Sequence, residues 1–119
     1  MVSIHDGDTL RMNVSVGFSI HYLTPEVTLP PALRFYGYDA PELGRADGLG
    51  EQARDALIAW FAQRPGPYEL HTYKDRGDKY GRILASAILA SDGHEVINDM
   101  IVAGWLKPYS GSGPKPEWP

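Results

Sequence analysis

Three short segments hold residue types that could act together on a phosphate: Asp6-Gly7-Asp8-Thr9, Leu33-Arg34 through Asp39-Ala40-Pro41-Glu42, and Asp78-Lys79-Tyr80-Gly81-Arg82. Asp8, Asp39 and Glu42 are candidate ligands for a hard cation, which takes oxygen donors. A catalytic site keeps positions open for water and substrate, so two direct carboxylates and one backbone carbonyl suffice. Ala40 could supply that carbonyl, because the residue before a proline is held in the extended region and its carbonyl is aimed in a fixed direction. Glu42 is also the candidate general base, a carboxylate near a cation that can orient or deprotonate a water. Arg34 and Arg82 are candidate phosphate clamps, each a planar fork that stays charged and suits a pentacoordinate transition state. Lys79 and Tyr80 could hold a second phosphate or stack near a base.

Each residue also has a plain structural reading. Asp6 and Asp8 are good turn formers, Asp39 can cap a turn, and the two arginines can be solvent-facing strand residues. Glu42 can be a surface glutamate, and residues 78–82 a charged hairpin loop. An EF-hand is excluded, because the twelfth position counted from Asp6 is Gly17 rather than glutamate. Parity sets a sharper demand. Arg34 and Asp39 are five positions apart in the sequence, so an unbroken strand would put them on opposite faces. For both to reach one pocket, Gly37 has to mark a bulge or kink.

The elements that must carry these residues can be read from periodicity. Val2 to Ile4 favours a short strand, and Asp6-Gly7-Asp8 is turn chemistry with a glycine free to take positive φ. From Thr9 to Tyr22, Leu10, Met12, Val14, Val16, Phe18 and Ile20 alternate with small or polar residues, which predicts one long, half-buried antiparallel strand. Prolines at 25, 30 and 31 break the pattern before a strand over 32–38. Ala53, Leu57, Trp60 and Phe61 share one helical face, predicting a helix over 51–63 ended by Pro65-Gly66-Pro67. Strands follow over 68–73 and 83–89, then a helix over 96–103 with Gly104 just past its end. The tail from Lys107, rich in proline, glycine and serine, is expected to be extended and pinned by Trp105 or Trp118. About five strands in an antiparallel meander, with two helices and an extended tail, predict a β-barrel with helices (α+β) of the OB type, one domain over residues 1–119.

Composition narrows the chemistry. Cysteine is absent, which removes thiol catalysis, disulfides and Cys-type zinc sites. The histidines at 5, 21, 71 and 94 have no metal-ligand spacing. There is no nucleophile elbow and no Rossmann or P-loop glycine pattern. No apolar run is long enough to span a membrane and no signal peptide is visible, so a soluble protein is expected, secreted or cytoplasmic. The net charge of −4 requires phosphate binding to be local, and the visible basic excess lies in 72–84, where Lys74, Arg76, Lys79 and Arg82 outnumber Asp75 and Asp78.

Taken together, the three motifs in this order, followed by Asn98 and Gly104, resemble the staphylococcal-nuclease-like (thermonuclease) family over nearly the whole chain, in the form with an extended hairpin between the first strands. The resemblance implies an OB barrel and a calcium-dependent phosphodiesterase that acts on DNA and RNA and leaves 3′-phosphates. It makes Asp8, Asp39 and the Ala40 carbonyl calcium ligands and Glu42 the water-activating base. Arg34 and Arg82 would hold the reacting phosphate, with Lys79 and Tyr80 on its neighbour, in a monomer. The rival reading is a catalytically silent OB module that binds nucleic acid or protein. Such a module should have lost its charged site residues, whereas Arg34, Asp39, Glu42 and Arg82 are all present.

Overall fold

The computed structural model describes residues 2–12, 14–15, 21–22, 32–72, 83–111 and 113–118. Lys79, Tyr80 and Arg82 therefore lie outside the described residues, as does the proline-punctuated stretch 23–31. The elements in chain order are β1 (Val2–Asp6), β2 (Thr9–Met12), β3 (Val14–Ser15), β4 (His21–Tyr22), β5 (Ala32–Phe35), β6 (Tyr38–Asp39), α1 (Leu49–Gln63), β7 (Glu69–Thr72), β8 (Ile83–Leu89), α2 (Val96–Val102) and β9 (Lys107–Pro108).

The result is an α+β fold built on a five-stranded sheet in the order β1-β2-β5-β8-β7, with two small two-stranded pairs, β3-β4 and β6-β9. Two expectations are corrected. The alternating run from Thr9 to Tyr22 is not one strand: it is divided into β2, β3 and a returning β4, with Val14 opposite Tyr22 and Ser15 opposite His21. Alternation survives a chain reversal, so period alone could not show that this run is an arm. Nor is the sheet a pure antiparallel meander. β5 and β8 run parallel, Leu33 facing Ile83 and Phe35 facing Ala85. Parallel neighbours need a long crossover, and α1 with β7 supplies it. Among the described residues the sheet stays open, with β1 and β7 at its edges. No helix there is long and apolar enough to cross a membrane.

The core gathers where α1 and α2 cover the sheet. Leu10, Leu33, Phe35, Ile88 and Val96 are fully buried, and Ala53, Leu57, Trp60 and Phe61 bury the α1 face their spacing defines. Full burial of side chains of this size contributes about 1.5–3 kcal/mol each. α2 begins at Glu95, whose carboxylate accepts from the backbone of Ile97 and Asn98 and also from Ile88 N–H, so one side chain caps the helix and ties it to β8. α1 has no side chain on its Gly48 cap; Asp47 Oδ1 accepts Leu49 N–H instead.

Two glycines let α1 press on the segments of interest. A Cβ at Gly50 would lie 1.9 Å from the Glu42 carbonyl oxygen, so the first turn of α1 rests directly on the Glu42 backbone. Gly7 works the same way, since a Cβ there would meet Ala40 Cβ at 2.7 Å and Ala53 Cβ at 2.9 Å. The glycine of the first turn is needed for space and not, as its turn chemistry suggested, for a positive φ.

Candidate functional site

Asp8 sits in the turn joining β1 to β2, and its side chain is fixed from two directions. Oδ2 accepts Ala40 N–H at 2.9 Å and Oδ1 accepts the Thr9 hydroxyl at 3.0 Å. Its own carbonyl accepts Phe35 N–H at 3.0 Å, which ties the first turn to the end of β5. Asp6 Oδ1 accepts Asp8 N–H at 3.1 Å, an Asx-type closure of the same turn.

The parity problem of Arg34 and Asp39 is resolved by a turn at Tyr36-Gly37, with Gly37 at φ +84°. This left-handed conformation suits a residue without Cβ. The reversal lets β6 resume with Asp39 on the side Arg34 occupies. Arg34 Nη1 donates both its protons, to Phe35 O at 2.9 Å and Tyr38 O at 2.6 Å, while Nη2 donates to Asp39 Oδ1 at 3.1 Å. Nη1 also lies 3.6 Å from Asp8 Oδ2. One guanidinium thus staples the turn and bridges both acids. Arg34 is not the solvent-facing strand residue of the plain reading: its side chain is only 14% exposed.

The electrostatics show how crowded this corner is. Burial, then the neighbouring Asp8, pushes Asp39 up to about 6, and the same two causes push Asp6 up to about 6. For Asp8 burial also opposes the charge, yet Arg34 and the hydrogen bonds it accepts hold its carboxyl below the ordinary value. Asp6, assigned to turn formation by sequence, is therefore electrically part of the site as well. The signal was present in its two-residue spacing from Asp8 across a tight turn, but the same spacing serves a turn with no site.

Glu42 follows the fully buried Pro41 and is backed by Gly50, so its backbone is set while its side chain is 67% exposed. Lys115 Nζ donates to Glu42 Oε1 at 2.7 Å and, by this bond and its charge, holds the carboxyl below the ordinary value. Sequence reading missed this partner, because nothing in a proline- and glycine-rich tail marks one lysine out. The tail is not merely extended. β9 pairs with β6, placing Lys107 opposite Asp39, and Tyr109 N–H donates to Gly37 O at 2.9 Å. Trp118 is half-buried, with its carbonyl accepting Arg45 Nη2 at 3.2 Å and its ring under Lys107 Nζ at 4.6 Å.

The structure thus joins Asp8, Arg34, Asp39 and Ala40 in one cluster with Glu42 on its rim; Arg82, Lys79 and Tyr80 fall outside the described residues. Among the described residues no group of three or more His, Cys, Asp or Glu side chains is arranged to hold a metal ion. Asp8 and Asp39 form a donor set with fewer side chains than that. Its chemistry fits a hard cation: buried oxygen donors carrying more negative charge than Arg34 neutralises. Of the histidines with described side chains, two lie elsewhere. His71 pairs with Glu69 and His94 with Asp99, and exposed His5 lies at the edge of the cluster with Nε2 3.9 Å from Asp6 Oδ2. No protein-family model matches the chain, and no curated protein matches it.

Proposed function

We propose that the chain is a metal-dependent phosphodiesterase of the staphylococcal-nuclease-like kind, a calcium-dependent monomer that cleaves single-stranded DNA and RNA to 3′-phosphate products. The observation that carries this reading is the Asp8–Arg34–Asp39 cluster, assembled from separate turns by the reversal at Gly37. The strand order, in which β8 inserts between β5 and β7, and the β3-β4 arm both support an OB-type barrel with an extended hairpin.

In this reading Asp8, Asp39 and the Ala40 carbonyl would hold the calcium ion, which when bound supplies positive charge to the phosphate oxygens. Arg34 would donate from its N–H edge to a non-bridging oxygen and stabilise the charge that builds there during attack. Glu42 would take a proton from the attacking water as the new P–O bond forms and the bond to the 5′ oxygen breaks, the departing 5′ oxygen taking a proton from solvent to leave as a hydroxyl. Arg82 immediately precedes β8, whose Leu84 pairs with Arg34, and is assigned the second clamp; Lys79 and Tyr80 are assigned the adjacent phosphate.

Cleavage of labelled single-stranded DNA and RNA in millimolar calcium, with end-group analysis, tests the proposal. Activity abolished by EGTA with 3′-phosphate ends is expected. Full activity in EGTA would remove the calcium mechanism. No cleavage in calcium would leave the second reading, a silent OB module binding nucleic acid or protein. One observation favours that alternative: Arg34 and Glu42 both already have partners within the chain.

A further inference from the structure

The segment Gly113–Trp118 folds back over the rim on which Glu42 stands, and it does so by bonds that do not involve Glu42. Lys107 Nζ donates to Glu117 O at 2.7 Å and lies over the Trp118 ring, and Arg45 Nη2 donates to Trp118 O at 3.2 Å. Tyr109 fixes the base of the segment through Gly37 O and closes it on Gly113 O at 3.3 Å. Lys115 stands between these anchors with its ammonium 2.7 Å from Glu42 Oε1, the two side chains 52% and 67% exposed. An ion pair this open to water is weak and exchangeable. Releasing it leaves the anchors in place.

The charge balance says what would take its place. Asp8 and Asp39 share one guanidinium, Asp6 adjoins Asp8 in the same turn, and the Lys115 ammonium feels Asp39 and Asp8 as well as Glu42. A polyanion entering this corner needs a cation beyond Arg34, and one compact ammonium is already held there on a fixed segment. We infer that Lys115 is a substrate-phosphate ligand delivered by the C-terminal segment, resting on Glu42 until a nucleic-acid phosphate replaces that carboxylate. The inference rests on the phosphodiesterase reading. Transfer of the ammonium from Glu42 to a phosphate oxygen frees the carboxylate for water when substrate is present, so phosphate binding and release of the base become one event. A plug that merely blocked Glu42 would depend on the Glu42 contact for its hold, whereas the anchoring of this segment through Trp118, Lys107 and Arg45 is independent of it.

Steady-state kinetics of the full chain on labelled single-stranded DNA in calcium, over a range of potassium chloride, test this. Lys115→Gln should raise KM about five- to tenfold, as expected for losing one charge-assisted contact. kcat should stay within about twofold, and the slope of log KM against log salt should fall by about 0.7, the value for one phosphate contact on a single strand. Lys115→Arg should keep both KM and slope, and Trp118→Ala, which removes only the ring under Lys107 and leaves the carbonyl bonds of Glu117 and Trp118, should leave the slope unchanged. An unchanged KM and slope for Lys115→Gln would overturn the inference while leaving the phosphodiesterase intact, and a raised kcat/KM would show that the contact restrains Glu42 instead. If the wild type cleaves nothing, the phosphodiesterase reading has failed, and the same salt slope measured by oligonucleotide binding decides Lys115 alone: an equal slope for wild type and Lys115→Gln overturns it.

Discussion

Arg34→Met keeps the aliphatic stem and deletes the guanidinium that joins the Gly37 turn to the acid pair. It removes hydrogen bonds to Phe35 O, Tyr38 O and Asp39 Oδ1 and the ion contact with Asp8 Oδ2. The partners left behind are shielded, the Asp39 side chain being 6% and that of Asp8 10% exposed. Removing one member of a buried ion pair costs about 3–5 kcal/mol. Asp39 can relieve part of this by taking a proton, since burial and Asp8 have already raised it to about 6. We therefore expect a loss of about 3 kcal/mol near neutral pH, or roughly 12 °C in Tm at about 4 °C per kcal/mol for a domain of this size. The sign of the pH effect follows. The folded-state value of Asp39 lies above the ordinary aspartate value, so the folded protein binds the extra proton between about 4 and 6, and stability from this group falls as pH rises through that window. At about pH 5 Asp39 is largely protonated in the folded state, and the Arg34→Met penalty should shrink. Urea denaturation at about pH 5 and 7.5, each in EGTA and in millimolar calcium, measures it; calcium should recover part of the loss at the higher pH if it binds this donor set. An equal penalty at both pH values, or none, would refute the view that Arg34 serves chiefly to neutralise Asp8 and Asp39.

The other expectations concern the parts around that cluster. Glu42→Gln, at an exposed side chain, should leave Tm nearly unchanged while cutting kcat by orders of magnitude with calcium affinity retained, measured by single-turnover cleavage and calcium titration; an unaffected rate would mean that water is activated elsewhere. Gly37→Ala meets nothing within 4 Å and should cost only the conformational penalty of a left-handed residue, about 1–2 kcal/mol, whereas Gly50→Ala must displace the Glu42 carbonyl and should cost more than about 2 kcal/mol, a ranking that parallel thermal melts decide. Asp99→Ala strips Trp60 Nε1–H of its 2.8 Å acceptor and should cost about 1–3 kcal/mol at neutral pH. Burial works against the Asp99 charge, but Trp60, His94 and Arg64 hold its carboxyl below the ordinary value, so its contribution is present above about pH 4 and is lost as pH falls through the folded-state value; the gap between variant and wild type should close in acid.

What could be read from sequence follows the range of the interaction that decides each feature. The α1 face is a local matter of spacing, and Ala53, Leu57, Trp60 and Phe61 are all buried as their spacing requires. The turn at Gly37 was legible for a different reason: parity made it a condition for Arg34 to reach Asp39, and glycine was the residue that could meet it. Strand direction was not legible. Leu33 and Phe35 would bury equally well beside a parallel or an antiparallel β8, so the pairing with Ile83 and Ala85 had to come from the crossover geometry. Lys115 and Glu42 stand far apart in the chain, and their pairing depends on β9 docking against β6, which two residues of strand cannot announce.

That docking also bears on the charge objection. A net charge of −4 argues against a partner carrying many phosphates, and by sequence the visible basic excess lay in residues 72–84. A polyanion meets the local field rather than the sum over the chain. Arg45, Lys107 and Lys115 are scattered in sequence, yet the tail gathers them around Trp118 and Glu42 on the rim of the Asp8–Asp39 corner. Two of them are partly spent, Arg45 on Asp47 and Lys107 on the Trp118 ring, which leaves Lys115, on its exchangeable partner, as the cation of that group best able to change hands. The acidic balance of the chain is compatible with the proposed affinity for phosphate because the acids are concentrated in one corner, where the proposed cation would neutralise them, and a basic side chain is held at their edge by an element whose composition gave no sign of it.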